Sequence, residues 1–216
     1  MLFAVSFILI AFIGWSYLSP LPDSRPKLPK LNSTPVGPTA LAWPGYGQAT
    51  VGTIDAGILE SHGEQKQVPT ASVAKVITAL AVLDKQPLRL SKVGPIIQLD
   101  KTDVGYFESH YINGGSVVKV VDGEKISQYQ ALQAMLLPSG NNMADSLARW
   151  AFGSPEKYTE YANMMLKKMG VKDTVVADAS GFLPNTISTS SDLTTIGEKA
   201  LQNPVLAQIV AQPSAT

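Results

Sequence analysis

The sequence has 216 residues, of which 45% are apolar and 16% charged, so it is long enough for one folded domain with an appended segment. Its 17 Lys and Arg residues balance 17 Asp and Glu residues, and this neutrality argues against a basic surface for nucleic acid or anionic lipid. The absence of cysteine excludes disulfides, thiolate metal sites and a cysteine nucleophile. The two histidines, His62 and His110, lie in no metal-binding spacing, so we expect both to be structural or exposed.

The chain begins with an uncharged apolar run over residues 2–18. As a helix this run would be about 26 Å long, which is at the short end for a bilayer core of about 30 Å. It lacks a basic start and a small-x-small cleavage site, so we predict that residues 1–18 are a membrane anchor rather than a cleaved signal peptide. Three basic residues follow the run between positions 25 and 30, where the positive-inside rule alone would place the cytoplasm. A basic stretch ahead of Met1 would reconcile the two signals.

Residues 19–44 contain seven prolines, interleaved with Ser, Thr, Asn and Gly. This composition predicts an extended linker of about 3.1 Å per residue. We therefore predict that the folded domain occupies residues 45–216.

Within that domain, apolar periodicity and turn residues predict several helices and a few strands. The first predicted element is a strand over 50–59, which turns at 61–63 and pairs with the segment before Pro69. A helix over 71–84, ended by Pro87, and a hairpin over 116–126 around Asp122-Gly123 follow. The last predicted elements are helices over 128–137, 141–152, 155–169 and 191–202. Ser154 and Pro155 are a good N-cap and N1 pair, and Ser191 or Asp192 is the expected cap of the last helix.

Ser72 and Lys75 are the first candidates for chemistry. Residues three apart share a helix face, so the helix over 71–84 places an alcohol beside an amine. A neutral lysine can accept the serine proton, and the apolar neighbours favour this neutral form because burial disfavours the charged one. The nearby helix N-terminus favours negative charge that develops on Ser72.

The Ser-x-x-Lys spacing occurs four times in the sequence, so spacing alone does not identify a site. The other three pairs lie in the proline-rich linker, in a strand-like run and at a helix cap (Ser24–Lys27, Ser116–Lys119 and Ser154–Lys157). Only Ser72 combines a helix start, apolar surroundings and a nearby preceding proline, Pro69.

A second candidate segment, Leu-Leu-Pro-Ser-Gly-Asn-Asn over 136–142, lies at the break between two predicted helices. Such a break can present side chains to a cleft while the helices hold it rigid. Ser139 is placed to pass a proton between Lys75 and a leaving amine, and Asn141 to bind a substrate amide or orient the lysine. In the alternative interpretation, Ser139 caps the next helix and Asn141 supports that cap.

Together these residues resemble the penicillin-recognising serine enzymes, whose motifs are Ser-x-x-Lys, Ser-x-Asn and Lys-Thr-Gly. The resemblance is closest to the D-alanyl-D-alanine carboxypeptidases and covers most of residues 50–212. Its matching stretches are 69–80, 123–127, 136–144, 178–182 and 188–193.

The resemblance implies an α/β (α+β) fold in which an antiparallel sheet packs against helices, beside a mainly helical subdomain. It implies that Ser72, Lys75 and Ser139 are catalytic, that Asn141 binds substrate, and that no metal or organic cofactor takes part. The implied substrate is a peptidoglycan stem peptide, and β-lactams would acylate Ser72. The implied location is the extracytoplasmic face of a bacterial cell membrane.

The sequence departs from the family pattern in having no Lys-Thr-Gly or Lys-Ser-Gly. We therefore expect residues 45–216 to be a partial catalytic domain that stops before this motif and the last sheet strands. Loss of one oxyanion-hole donor typically lowers the rate by about 10²–10³. Two alternatives stay open: a class A β-lactamase, although its Glu-x-x-Leu-Asn pattern is absent, and a non-catalytic, membrane-tethered cell-wall binding protein on the same fold.

Overall fold

The computed structural model describes Trp15 and residues 41–214. The predicted anchor, except for Trp15, and residues 19–40 of the predicted linker therefore lie outside the described residues. Among the residues that are described, no helix has the length and apolar character needed to cross a bilayer.

From residue 43 onward, the described chain is built of helices and short antiparallel strand pairs. The helices are α1 (Ala74–Lys85), which follows a 3-10 turn (Ala71–Val73), α2 (Lys101–Ile112), α3 (Gln128–Leu136), α4 (Asn141–Phe152), α5 (Pro155–Lys168), α6 (Ser190–Gln202) and α7 (Pro204–Val210). The strands are β1 (Ala49–Thr53), β2 (Gly57–His62), β3 (Val68–Pro69), β4 (Ile96–Gln98), β5 (Lys125–Ser127) and β6 (Ile187–Ser188). Strand β1 pairs with β2, β3 with β6, and β4 with β5, all antiparallel. This mixture of helices and antiparallel strands confirms the predicted α+β class.

The first hairpin corrects the predicted strand over 50–59. The chain turns inside that range, at 54–56, and returns as β2 so that Ala49 lies opposite His62. Gly57 closes the turn with a φ of +68°, a left-handed conformation that glycine adopts without a Cβ penalty. The loose alternation of the sequence concealed this glycine turn.

The predicted hairpin over 116–126 is wrong in its pairing. The turn at Asp122-Gly123 is present, but β5 pairs with β4, which lies earlier in the chain. The expected partner segment is held by a side chain instead, because Asn142 Oδ1 accepts from the Val118 N–H and Asn142 Nδ2 donates to the Val118 carbonyl. A local turn signal does not reveal a partner strand that is distant in sequence.

Sequence patterning also missed α2 and α7. Helix α2 begins with a capping box between Asp100 and Asp103, but only Asp103 of this helix is fully buried, so no apolar stripe marks it. Asn203 is the N-cap of helix α7, and Pro204 is its first residue. The cap of α6 is Thr189 rather than Ser191 or Asp192.

Helix α1 lies at the centre of the fold and contacts α3, α4, α5 and α6. Its buried face, which includes Ile77 and Val82, joins a core with Leu132 of α3, Leu147 of α4 and Leu166 of α5. Packing on several sides fixes the axis of α1. The N-terminal end of α1 is therefore held in a fixed position.

Candidate active site

Ser72 lies in a bend that leads into α1. The preceding residue, Ala71, has a φ of +47°, which is a strained conformation for a residue with a Cβ. Thr70 anchors the bend because its N–H and its hydroxyl both donate to the Thr186 carbonyl, at 2.9 and 3.3 Å. The bend leaves Ser72 exposed while Lys75, one turn later, is only 2% exposed.

The amine of Lys75 has three oxygen neighbours. Its Nζ lies 3.2 Å from Ser72 Oγ, 2.7 Å from Asn141 Oδ1 and 3.0 Å from the Ser180 carbonyl oxygen. The amide oxygen and the main-chain carbonyl can only accept, whereas the serine hydroxyl can also donate. A neutral Lys75 therefore gives its two hydrogens to Asn141 and Ser180, which turns its lone pair toward the Ser72 proton.

Burial lowers the pKa of Lys75 from 10.5 to about 8, and the negative charges of Asp178 and Asp145 oppose part of this effect. With a pKa near 8, about one lysine in ten is neutral at pH 7. Lys75 is thus poised to act as a base near neutral pH.

Ser139 places a second hydroxyl group beside Ser72. Its Oγ donates to Ser72 Oγ at 3.0 Å, and its φ of +61° is again left-handed. The residue at the cap of α4 is Gly140, which has no side-chain cap, so the alternative role of Ser139 as the helix cap is wrong. The four residues singled out from the sequence, Ser72, Lys75, Ser139 and Asn141, are therefore brought together.

The family resemblance includes the loop over 178–182 but assigns it no role, and the structure shows that this loop supplies one acceptor of Lys75. Asp178 Oδ2 accepts from the Ser180 hydroxyl at 2.8 Å and from the Phe182 N–H at 2.8 Å, and Thr186 donates to the other carboxylate oxygen. These bonds hold the loop so that the Ser180 carbonyl faces Lys75. The Asp-x-Ser-Gly pattern is typical of a side-chain-stabilised turn, but its partner was not evident in the sequence.

Gly181 lets this loop lie directly against the bend that carries Ser72. Its φ is +71°, and a Cβ placed there would lie 1.8 Å from the Ala71 carbonyl oxygen. No side chain fits in that space. Thr78, one turn after Lys75, binds the loop from the other side by donating to the Ala179 carbonyl at 2.6 Å.

A cleft of about 410 Å³ opens on these groups. Ser72, Lys75 and Ser139 line one part of it, and the rest of its wall is apolar (Val73, Val76, Leu136, Leu137 and Val210). Within residues 41–214, no three His, Asp or Glu side chains gather as a metal site. The arrangement of nucleophile, lowered-pKa amine and second hydroxyl is suited to acyl transfer through a covalent serine intermediate.

Comparisons with known proteins point to a single family. The sequence model of the family described as D-alanyl-D-alanine carboxypeptidase matches residues 51–215. The D-alanyl-D-alanine endopeptidase of Pseudomonas aeruginosa is 30% identical over 159 residues, which are 74% of this chain and 48% of that protein. A D-alanyl-D-alanine carboxypeptidase of Mycobacterium tuberculosis is 31% identical over 169 residues, which are 76% of this chain and 54% of that protein.

Among solved structures, a D-alanyl-D-alanine carboxypeptidase from Mycobacterium tuberculosis H37Rv matches with a TM-score of 0.64 and 29% identity, covering 77% of this chain and 58% of that one. This likeness confirms the fold predicted from the sequence. The chain spans about half the length of the two curated relatives that it matches.

The contact between Gly181 and Ala71 can be tested by comparing two glycines. We expect Gly181→Ala to lower the free energy of unfolding by at least about 2 kcal/mol more than Gly170→Ala. Gly170 is the control because its φ of +79° imposes the same backbone cost while nothing lies within 4 Å of its added Cβ. Urea denaturation of both variants measures the difference, and equal losses would show that the close contact with Ala71 does not matter.

Proposed function

This chain belongs to the D-alanyl-D-alanine carboxypeptidase family, and from that premise we propose that it is a serine-type D-Ala-D-Ala carboxypeptidase acting on peptidoglycan stem peptides. One observation carries the proposal: Ser72 Oγ lies 3.2 Å from a buried Lys75 Nζ and 3.0 Å from Ser139 Oγ, at the edge of an open cleft. This geometry joins a nucleophile to a base and to a second proton carrier.

In the first step, Lys75 takes the hydroxyl proton of Ser72 while Ser72 Oγ attacks the carbonyl carbon of the D-Ala-D-Ala bond. The tetrahedral intermediate then collapses with cleavage of the carbon–nitrogen bond. The leaving amine takes its proton from the Ser139 hydroxyl, which lies 3.0 Å from Ser72 Oγ, and the proton that Lys75 accepted then replaces it on Ser139. D-alanine leaves, and the remaining stem peptide stays on Ser72 as an ester.

In the second step, water replaces D-alanine at the same carbonyl. Neutral Lys75 accepts a proton from the attacking water, and the ester oxygen of Ser72 recovers a proton as the bond breaks. Asn141 uses its carbonyl oxygen on Lys75, which leaves its amide nitrogen to donate to a substrate carbonyl. A β-lactam would acylate Ser72 by the same first step, but its amine would stay tethered to the acyl group.

No observation on residues 41–214 favours the two alternatives. The run nearest to the β-lactamase pattern spans Glu160–Asn163 in α5. There the Asn163 side chain is bonded to the main chain of Val176, at 2.9 and 3.0 Å, so its role is to fix a loop. A non-catalytic binding protein would not need a buried amine directed at an exposed serine.

Labelling by a fluorescent penicillin tests the nucleophile. We expect the full-length wild-type protein to be labelled and Ser72→Ala to lose labelling, because Ser72 carries the hydroxyl that is bonded to the Lys75 amine. Ser154→Ala is the matched control: it belongs to another Ser-x-x-Lys pair, and its hydroxyl accepts from the Lys157 N–H as the cap of α5. Equal labelling of wild type and Ser72→Ala would refute the assignment, and release of D-alanine from a stem-peptide mimic would distinguish a peptidase from a lactamase.

The protonation state of Lys75 predicts how acylation depends on pH. Since the pKa of Lys75 is lowered to about 8, the neutral base becomes scarcer below that pH, and the acylation rate constant should fall about tenfold per pH unit. Above about pH 9 the rate should level off. Stopped-flow measurement of acylation by a chromogenic cephalosporin between pH 6 and 10 gives this profile. A flat profile across that range would contradict Lys75 as the base.

We also propose that residues 1–18 anchor the protein to the extracytoplasmic face of a bacterial membrane, with residues 19–44 as the spacer. The support is the uncharged apolar run over 2–18, together with a substrate that lies outside the membrane. Deletion of residues 1–18 should move the protein from the membrane fraction to the soluble fraction of a bacterial host. A matched deletion within 19–44 should leave it in the membrane fraction, and equal behaviour of both deletions would contradict the anchor.

A further inference from the structure

His110 has a partner that the sequence did not indicate. It lies in the last turn of α2, and its Nε2 is 2.7 Å from Asp145 Oδ2 on α4. The two side chains are only 13% and 19% exposed. The imidazole also meets the Phe182 ring edge-on, with centroids 5.3 Å apart and planes at 87°. By contrast, His62 stacks on Trp43 in the first hairpin region and belongs to a separate set of contacts.

Through Phe182, the His110 ring supports the loop over 178–182. The N–H of Phe182 donates to the Asp178 carboxylate, which also binds the Ser180 hydroxyl. The Ser180 carbonyl is the main-chain acceptor of Lys75. The ring of His110 therefore braces the loop that supplies one of the three oxygens around the amine.

Through its own main chain, His110 supports a second segment. Its carbonyl accepts from the Gly115 N–H at 2.8 Å, and the next residue, Ser116, accepts from the Asn141 N–H at 2.8 Å. A Cβ on Gly115 would lie 2.7 Å from Asn141 Nδ2, so this segment lies directly against the Asn141 side chain. Asn141 Oδ1 is the side-chain amide acceptor of Lys75.

Asp145, the partner of His110, lies in α4, the same helix as Asn141. It lies four residues after Asn141 in α4, so both side chains share one helix face. The charged groups that act on Lys75 from the packed elements are Asp145 on α4 and Asp178 on the loop, and both raise its pKa. Hydrogen bonding to His110 holds the Asp145 carboxylate in place and offsets part of its charge.

We propose that His110 is a positioning residue for Lys75. Bonded to Asp145, it holds the loop over 178–182 and the segment at Gly115 in place. The Ser180 carbonyl oxygen and Asn141 Oδ1 then stay in contact with an amine that is shielded from water. This role deepens the proposed function and rests on it for its catalytic meaning. The contacts themselves, however, predict an effect on Lys75 that can be measured without any substrate.

The direct measurement is NMR titration of the full chain carrying 13Cε-labelled lysine, with Lys75→Met to assign the resonance. His110→Phe keeps a ring against Phe182 but removes the bond to Asp145. Water then gains access to the amine and the Asp145 charge is less offset, and both changes favour the protonated lysine. We expect the titration midpoint of Lys75 to rise by about one pH unit toward the ordinary value. Acylation at pH 7 should then slow about tenfold, with the high-pH plateau less affected.

Three matched variants separate positioning from a general loss of structure. His110→Gln keeps a donor for Asp145 but loses the ring against Phe182, so it should shift the midpoint less than His110→Phe does. Asp145→Asn keeps a hydrogen-bonding group without the charge and should lower the midpoint, opposite in sign to His110→Phe. His62→Phe removes the other histidine, which stacks on Trp43, and should leave the midpoint unchanged.

The outcomes are distinct for the two proposals. If Lys75 responds to these variants but no penicillin is bound, the proposed function fails and the positioning role stands. If His110→Phe folds and shifts the midpoint by less than about 0.2 pH units, the positioning role is overturned even when Ser72 is acylated. If His110→Phe does not fold, His110→Leu takes its place because it removes the same bond to Asp145, and an unchanged midpoint in that variant overturns the role.

Discussion

The burial of one lysine amine is the constraint on which the rest of the site depends. Lys75 is 2% exposed, and a buried ammonium without acceptors would be strongly unfavourable. Its acceptors come from three separate parts of the chain, at Ser72, Asn141 and Ser180. The start of α1, the start of α4 and the loop over 178–182 must therefore meet at one point, and the central position of α1 makes this possible.

Two of the three non-glycine residues with a left-handed backbone among residues 41–214 lie where these segments meet. Ala71 precedes Ser72 and, like Ser139, adopts a left-handed conformation, so both strained residues lie at the bonded hydroxyl pair of Ser72 and Ser139. Such conformations cost of order 1–3 kcal/mol each and persist only where the surroundings hold them in place. Here the Thr70 bonds, the Gly181 contact and the hydroxyl pair of Ser72 and Ser139 hold them. Part of the stability of the fold is thus spent on presenting Ser72 at a sharp bend.

The lowered pKa of Lys75 links this arrangement to stability. Its pKa is about 8 when folded and 10.5 as the ordinary value, so the unfolded chain binds the proton more tightly. The cost of burying the charge is therefore fully present below pH 8 and is relieved as the pH rises from 8 to 10.5. The lowered pKa that suits Lys75 to its proposed role as a base at neutral pH also makes it a destabilising residue there, which is a common trade-off at active sites.

The sequence by itself determined the local features: the four site residues, the helices over 128–137, 141–152 and 155–169 to within a residue or so, and the family. Helical periodicity and helix caps depend on residues that are close in sequence, so they can be recognised in a single sequence. Tertiary structure alone decided the pairing of β4 with β5, the Ser180 carbonyl 105 residues from Lys75, and the contact of His110 with Asp145. A main-chain carbonyl has no side-chain identity, and contacts between distant segments depend on how the helices pack, so neither leaves a local pattern in the sequence.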